Sequence, residues 1–381
     1  MSNSVQTTPD PLDPQPVPFV DPEPTAKTSS AKTKGDKAES GPFPIWTATD
    51  FAAYEPHPDR DILGRAILRA GNLTLLMGQP GLGKSTATFA MAIANVRGDD
   101  SFAGIPLNPK PRRWLFVGNE NGKDRWKEHF EDAARTLTPA QKTALQAQIH
   151  VAALFEDENP DLTLPDQEAR LEATVRAAQA DVVLVDPWTE IVPNEIDSMV
   201  VRAAIASLRG AIRRANPDAA ILVVCHAKAG KETVADSIGN FGAGTAQRGN
   251  RMLYSSARAS LLLVPFADDG SDLVLALNKC NDGPSMGPRR ISFDRAAFCY
   301  VVNADFNLDE WVEGLRAKAK PKRKVSAETI ESLVREGHNT PKSLVAKLAD
   351  RAGERSVKQA IAVAVDMTLI TRTGRGTYAI P

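Results

Sequence analysis

Met77-Gly78-Gln79-Pro80-Gly81-Leu82-Gly83-Lys84-Ser85 decides how the rest of the chain is read. From Gly78 onward it fits G-x-x-x-x-G-K-[ST], the phosphate-binding P-loop, at every position. Its flanks fit as well. Gly71-Asn72-Leu73-Thr74-Leu75-Leu76-Met77 reads as a short buried strand, and Ser85 to Asn95 reads as a helix. A strand, a glycine turn and a helix N-terminus make an anion site, because backbone N–H groups point at the phosphates and the helix dipole favours negative charge. Gly78, Pro80, Gly81, Gly83, Lys84, Ser85 and Thr86 form this cradle. Lys84 is placed to reach the β- and γ-phosphates of ATP, and the Ser85 hydroxyl to ligate Mg²⁺.

The 381 residues around this motif leave room for one large domain and a small one. Composition is that of a globular protein, 42% hydrophobic and 24% charged, with a net charge of −1. That charge is unevenly spread. Trp311 to Pro381 holds 14 Lys and Arg against 7 Asp and Glu, so the tail is basic and the body acidic. A basic tail fits nucleic acid, and on charge alone fits a solvated charged helical face nearly as well. Cys225, Cys280 and Cys299 are odd in number and far apart, which excludes a disulfide framework or a C-x-x-C zinc site and suits a reducing compartment. No apolar run reaches the length of a membrane span, and the N-terminus lacks an apolar signal core. A cytoplasmic protein without a membrane partner is expected.

Residues 1–44 are rich in Pro, Ser, Thr, Lys and Asp, with too little apolar surface to offset ordering entropy; they read as a disordered tail. Over 45–310 strand and helix patterns alternate, which predicts an α/β domain with a mostly parallel twisted sheet covered on both faces. Later strands joined by short turns read as antiparallel. Residues 311–325 read as a basic linker, centred on Lys318-Ala319-Lys320-Pro321-Lys322-Arg323-Lys324. Over 326–381, three helices and a terminal hairpin spell a small winged helix-turn-helix; Thr340-Pro341 caps and opens the second helix.

A nucleotide hydrolase needs more than a phosphate cradle. Asp181-Val182-Val183-Leu184-Val185-Asp186 is a buried strand whose last carboxylate emerges at the C-terminal end, where α/β sheets bind ligands; it suits the second Mg²⁺ ligand. Arg113-Trp114-Leu115-Phe116-Val117-Gly118-Asn119-Glu120 is another, and Glu120 at its end suits a general base or water-positioning group. Ile221-Leu222-Val223-Val224-Cys225-His226 is the third, with His226 placed to sense the γ-phosphate. Each of these polar residues also fits a purely structural strand end.

The order P-loop, strand-Glu120, strand-Asp186, strand-His226 resembles the RecA-like core of hexameric plasmid replicative helicases, the RepA-like ATPases. The resemblance runs from Pro44 to Phe306. It includes Gly242-Ala243-Gly244-Thr245-Ala246-Gln247-Arg248-Gly249 and Tyr254-Ser255-Ser256-Ala257-Arg258-Ala259. It implies a RecA-like P-loop NTPase fold and a homo-oligomeric ring, hexameric in that family. It implies that Arg258 is an arginine finger reaching a neighbour's ATP site, that Lys279 is a second cation at the subunit boundary, and that Arg125 lies near the γ-phosphate. The compact plasmid helicases lack the winged-helix tail.

The loop at 227–251 is rich in glycine and basic residues and has no apolar period; in a ring it lines the channel, where Lys228 and Lys231 track single-stranded DNA. In the tail, Arg355 and Lys358 fall on the third helix and Arg372 and Arg375 on the wing, where duplex DNA is gripped in helix-turn-helix proteins. The leading expectation is an ATP-driven DNA motor, helicase-like, of a plasmid, phage or integrative element. The alternatives are a nucleotide-switched DNA-binding or recombination-mediator ATPase that unwinds nothing, and a kinase-like enzyme. Winged helices also dock proteins, so the tail's partner stays open between duplex and protein.

Overall fold

A computed structural model describes residues 45–118, 120–153, 160–227, 251–267, 270–318, 325–374 and 376–381. The expected tail 1–44, Lys228, Lys231 and Arg375 lie outside the described residues, as do 319–324 of the basic linker.

Ala48–Ala53 (α1) opens the described chain. Thr47 and Asp50 form a reciprocal capping box, and Trp46 stacks near Phe51 and Tyr54 with ring centroids 5.2 and 5.7 Å away. The helix buries none of its residues, and the chain divides after Glu55. The sheet-bearing unit therefore starts at Pro56 and not at 45.

From Pro56 the strands are β1 (Asp61–Leu63), β2 (Leu68–Arg69), β3 (Leu73–Gly78), β4 (Ser101–Phe102), β5 (Ile105–Pro106), β6 (Trp114–Gly118), β7 (Ile149–Ala153), β8 (Val182–Val185), β9 (Ala220–His226), β10 (Ala259–Pro265), β11 (Asp272–Cys280), β12 (Arg289–Asp294) and β13 (Cys299–Val302). Among the described residues nine of them form one sheet, in the order β13-β12-β11-β10-β3-β9-β8-β6-β7. β10, β3, β9, β8, β6 and β7 run parallel, and β11, β12 and β13 add antiparallel strands at one side. This is the α/β, mostly parallel arrangement that the sequence predicts.

Strand burial explains the layering. Every residue of β3 and β8 is buried, as in sheets covered on both faces. Side chains alternate between two cores. Leu76, Phe116, Leu184, Leu222 and Leu263 face one, and Leu75, Val117, Val185, Val223 and Leu262 face the other. Helix α2 (Lys84–Arg97) fills the first with Phe89 and Ile93. Helices α5 (Pro165–Ala178) and α6 (Ser198–Ala215) fill the second with Leu171, Val175, Ile205, Leu208 and Ile212. Helices α3 (Lys123–Ala134) and α4 (Pro139–Gln148) cross between β6 and β7.

The linker expected at 311–325 begins later. Residues Leu308–Lys318 are helical, and Trp311 and Val312 are buried in the second core. The Trp311 indole N–H donates to the Phe266 carbonyl at 3.0 Å, and the ring stacks on Phe266. Apolar burial outweighs the basic character of this stretch, so 311–318 belongs to the sheet unit.

Residues 325–381 hold their own core, built on Ile330, Leu344, Val357, Ile361, Ala364, Ile370 and Tyr378. Helices Ala327–Arg335, Pro341–Lys347 and Glu354–Asp366 are capped in turn by Ser326, Thr340 and Gly353. β14 (Thr371–Gly374) and β15 (Thr377–Ala379) form an antiparallel hairpin, and the Tyr378 N–H donates to the Asn339 carbonyl at 2.9 Å, tying the hairpin to the turn before the second helix.

Candidate functional site

The P-loop joins the C-terminal end of central β3 to the start of α2. Gly81 and Gly83 have φ of 78° and 73°, the left-handed region that glycine enters without a Cβ clash. Gly83 is the N-cap of α2 and offers no side-chain acceptor, so the first N–H groups of a 14-residue helix are left for an external anion. At Gly78 a Cβ would stand 3.1 Å from the Leu263 carbonyl oxygen and 3.3 Å from Lys84 Cδ. The space between β3 and β10 is thus tight for a side chain there, and the lysine stem lies against it.

Lys84 is buried, and its ammonium donates to the Gln79 carbonyl at 2.9 Å within the loop. Burial pushes its pKa down, while the charges of Glu120 and Asp186 push it up. The charges of Glu120 and Asp186, from the ends of β6 and β8, therefore both reach Lys84 at the start of α2.

Asp186 follows β8 directly, and its N–H donates to the Val117 carbonyl at 3.0 Å. Burial raises its carboxyl to about 7, the neighbouring Ser85 hydroxyl and Lys84 pull it down, and the Glu120 carboxylate pushes it up. Asp186 Oδ1 is buried without a hydrogen-bond partner. An orphaned carboxylate oxygen beside a hydroxyl, held in a site that disfavours its charge, is the donor set a divalent cation would satisfy. Ser85 and Asp186 thus fit Mg²⁺.

Glu120 stands exposed just past β6, close enough to act on both Lys84 and Asp186. His226 ends β9 directly opposite Gly78 in the parallel register, and the Ala227 N–H donates to the Gly78 carbonyl at 3.0 Å.

Arg258 does not join them. Its N–H donates to the Leu73 carbonyl at 2.8 Å, at the opposite end of β3 from Gly78. At about 3.3 Å per strand residue, that is about 16 Å from its own P-loop. Its guanidinium is half exposed and lies 3.4 Å from Asp282. Lys279 sits beside it, paired with Ser260 across β10 and β11. Arg125 is exposed on α3 and ion-paired with Glu128 at 3.0 Å, so the helix surface already engages its charge. In the C-terminal unit Arg355 is exposed, Lys358 pairs with Glu354 at 2.6 Å, and Lys358 and Arg372 line one groove of about 400 Å³ floored by Ile361, Val365 and Tyr378.

Two residues of the site escaped the sequence reading. A Cβ on Gly118 would land on the Asp186 carbonyl, so this glycine lets the end of β6 close onto Asp186. A glycine inside a strand pattern is itself a sign of close backbone approach. The other is Tyr300 on β13, whose hydroxyl comes within 3.9 Å of the place a Gly83 Cβ would take, alongside Thr86. No local pattern announces a contact between residues so far apart in the chain.

The comparisons agree with this geometry. The family described as an AAA domain matches residues 37–232, just over half of the chain, from before the sheet to just past His226. No curated protein matches. With its P-loop, parallel sheet and strand-end carboxylates, the chain belongs to the AAA-domain family of P-loop ATPases.

Proposed function

We propose that this ATPase works as a ring of identical subunits on DNA, a helicase-like motor of the kind its RepA-like motifs imply. The observation that carries the reading is the position of Arg258, half exposed about 16 Å from its own P-loop on the same sheet. A guanidinium there serves hydrolysis only in a neighbouring subunit.

In this reading the phosphates of ATP lie on the first N–H groups of α2, and Lys84 exchanges the Gln79 carbonyl for the β/γ oxygens. Ser85 and Asp186 would hold Mg²⁺, which would supply charge neutralisation at the phosphates. Glu120 takes the proton of the attacking water as its oxygen bonds to the γ-phosphorus and the bond to the β–γ bridging oxygen breaks. His226 follows the loss of the γ-phosphate through Gly78. Arg258, offered to the adjacent subunit, stabilises charge that accumulates in that subunit's transition state. The C-terminal unit acts as a winged helix that grips duplex DNA, supported by Lys358 and Arg372 sharing one groove. That added unit also favours a second reading, a nucleotide-switched DNA-binding ATPase without unwinding; DNA-stimulated turnover without strand displacement would select it.

Mixing two variants tests the ring: Arg258→Ala, which keeps a low residual turnover, and Lys84→Ala, which is inactive. Arg258→Ala keeps its own P-loop competent, and Lys84→Ala keeps its finger. Some interfaces of a mixed ring pair the intact P-loop of one with the intact Arg258 of the other. Once subunit exchange is verified by co-purifying differently tagged chains, ATP hydrolysis should reappear in part. No recovery above either parent in verified mixed rings would refute the trans role of Arg258.

A further inference from the structure

The resemblance casts Lys279 as a second cation at the subunit boundary, and its surroundings give that cation a specific task. The helix Arg251–Ser256 ends two residues before Arg258. The last carbonyls of any helix lack intrahelical partners, and its dipole leaves them negative. Here the Tyr254 carbonyl accepts from the Ala257 N–H at 3.3 Å, and two cations add to it and to the two carbonyls that follow. The Lys279 ammonium donates to the Tyr254 carbonyl at 2.9 Å and to the Ser255 carbonyl at 3.2 Å, and lies 5.0 Å over the Tyr254 ring. The Arg209 guanidinium, from α6, donates to the Ser256 carbonyl. Beyond the helix, Ala257 is fully buried. The Arg258 N–H is bonded to Leu73, and its carbonyl accepts from the Asn281 N–H at 2.9 Å. The backbone that carries Arg258 is therefore fixed on both sides, while among the described residues its side chain pairs with Asp282 at 3.4 Å.

We infer that Lys279 and Arg209 are a two-cation clamp on the C-terminal end of helix 251–256, positioning Arg258 at the subunit boundary, and that Lys279 acts through Arg258 and not on the neighbour's phosphates. The inference rests on the reading of Arg258 as a trans-acting finger. Two further features support it. Both Lys279 and Arg209 sit close enough to Arg258 for mutual repulsion to be felt, yet neither turns away to solvent. Arg209 is anchored from the face of α6 that packs on helix 251–256, so it reaches the boundary only through the residues it holds.

Steady-state turnover of the full-length protein separates the two roles. Lys279→Met and Arg209→Leu should each lower ATP turnover about 10-fold, the scale expected for a catalytic group displaced by a fraction of an ångström. ADP affinity, which reports the chain's own P-loop, should stay unchanged. Lys279→Arg keeps a donor at the carbonyls and should recover most of the turnover. In an Arg258→Ala background, Lys279→Met should cause no additional loss, because what it positions is already gone. A further multiplicative loss in that double variant would overturn the clamp and make Lys279 a direct phosphate contact. Wild-type turnover in Lys279→Met would overturn it as well. Should that variant fail to fold, Arg209→Leu and Lys279→Arg, each with and without Arg258→Ala, decide by the same comparison. Wild-type turnover in Arg258→Ala alone is a different failure, since it removes the finger and leaves the clamp nothing to position.

Discussion

Glu120 and Gly118 sit two residues apart and do opposite things at the end of β6. Glu120 is exposed and contributes a carboxylate; Gly118 contributes the absence of a side chain. Glu120→Gln keeps the shape and removes the base, so ATP binding should persist while turnover falls about 10²-fold, the usual scale for lost proton transfer. Parallel binding and single-turnover measurements check this, and an equal fall in both would make Glu120 structural. Gly118→Ala should do more damage than its size implies. The new methyl meets the Asp186 backbone, so β6 and β8 must part where the carboxylates converge. Turnover should drop steeply, and stability should fall by about 1–3 kcal/mol, as in other overpacked cores. A thermal melt and a turnover assay indistinguishable from wild type would show that the strand ends can separate at no cost.

Among the elements, α3 carries a titratable group into an aromatic core. His129 stacks on Phe89 with ring centroids 5.5 Å apart, and Trp126 and Phe130 close around the same ring. Both imidazole nitrogens are buried without hydrogen-bond partners, and burial pushes the pKa from 6.5 down to about 4. The folded protein thus holds His129 neutral. Below pH 6.5 the unfolded chain takes up a proton that the folded chain refuses, so stability is lost as pH falls toward about 4. His129→Phe should flatten this loss, seen as a smaller drift of the urea midpoint across that window; parallel drifts would place the titration elsewhere. The elements themselves were unequally legible. β3, β6, β8 and β9 announce themselves as apolar runs ending in functional residues. β1, β2, β4 and β5 are two or three residues long, too short for any period, and exist because partners hold them: Gly64 N–H donates to Pro106 at 2.7 Å and Asn108 N–H to Ile62 at 2.9 Å.

On the scale of the whole molecule, residues 325–381 fill their own core and follow a strongly basic stretch. Deleting 321–381 should leave basal ATP turnover largely unchanged and weaken duplex DNA binding. If the lost contacts are phosphate contacts, the salt dependence of binding should also become shallower. Equal affinity and equal salt slope in the shortened protein would assign this unit to protein docking. Within the described residues no helix is long and apolar enough to cross a membrane.

The sequence by itself determined what is local: the glycine turn before Lys84, the apolar strands that end in Glu120, Asp186 and His226, the caps at Ser326 and Thr340. Each depends on residues within a few positions of one another, where backbone geometry and side-chain period act directly. Only the tertiary structure decided which strand ends meet. Strand order and register set His226 against Gly78, closed Gly118 onto Asp186, brought Tyr300 to the P-loop and put Arg258 at the opposite end of the strands from the P-loop, with Lys279 and Arg209 on the carbonyls before it. Those contacts join residues far apart in the chain, and burial of the two cores on either side of the sheet, not any local preference, fixes which of them come together.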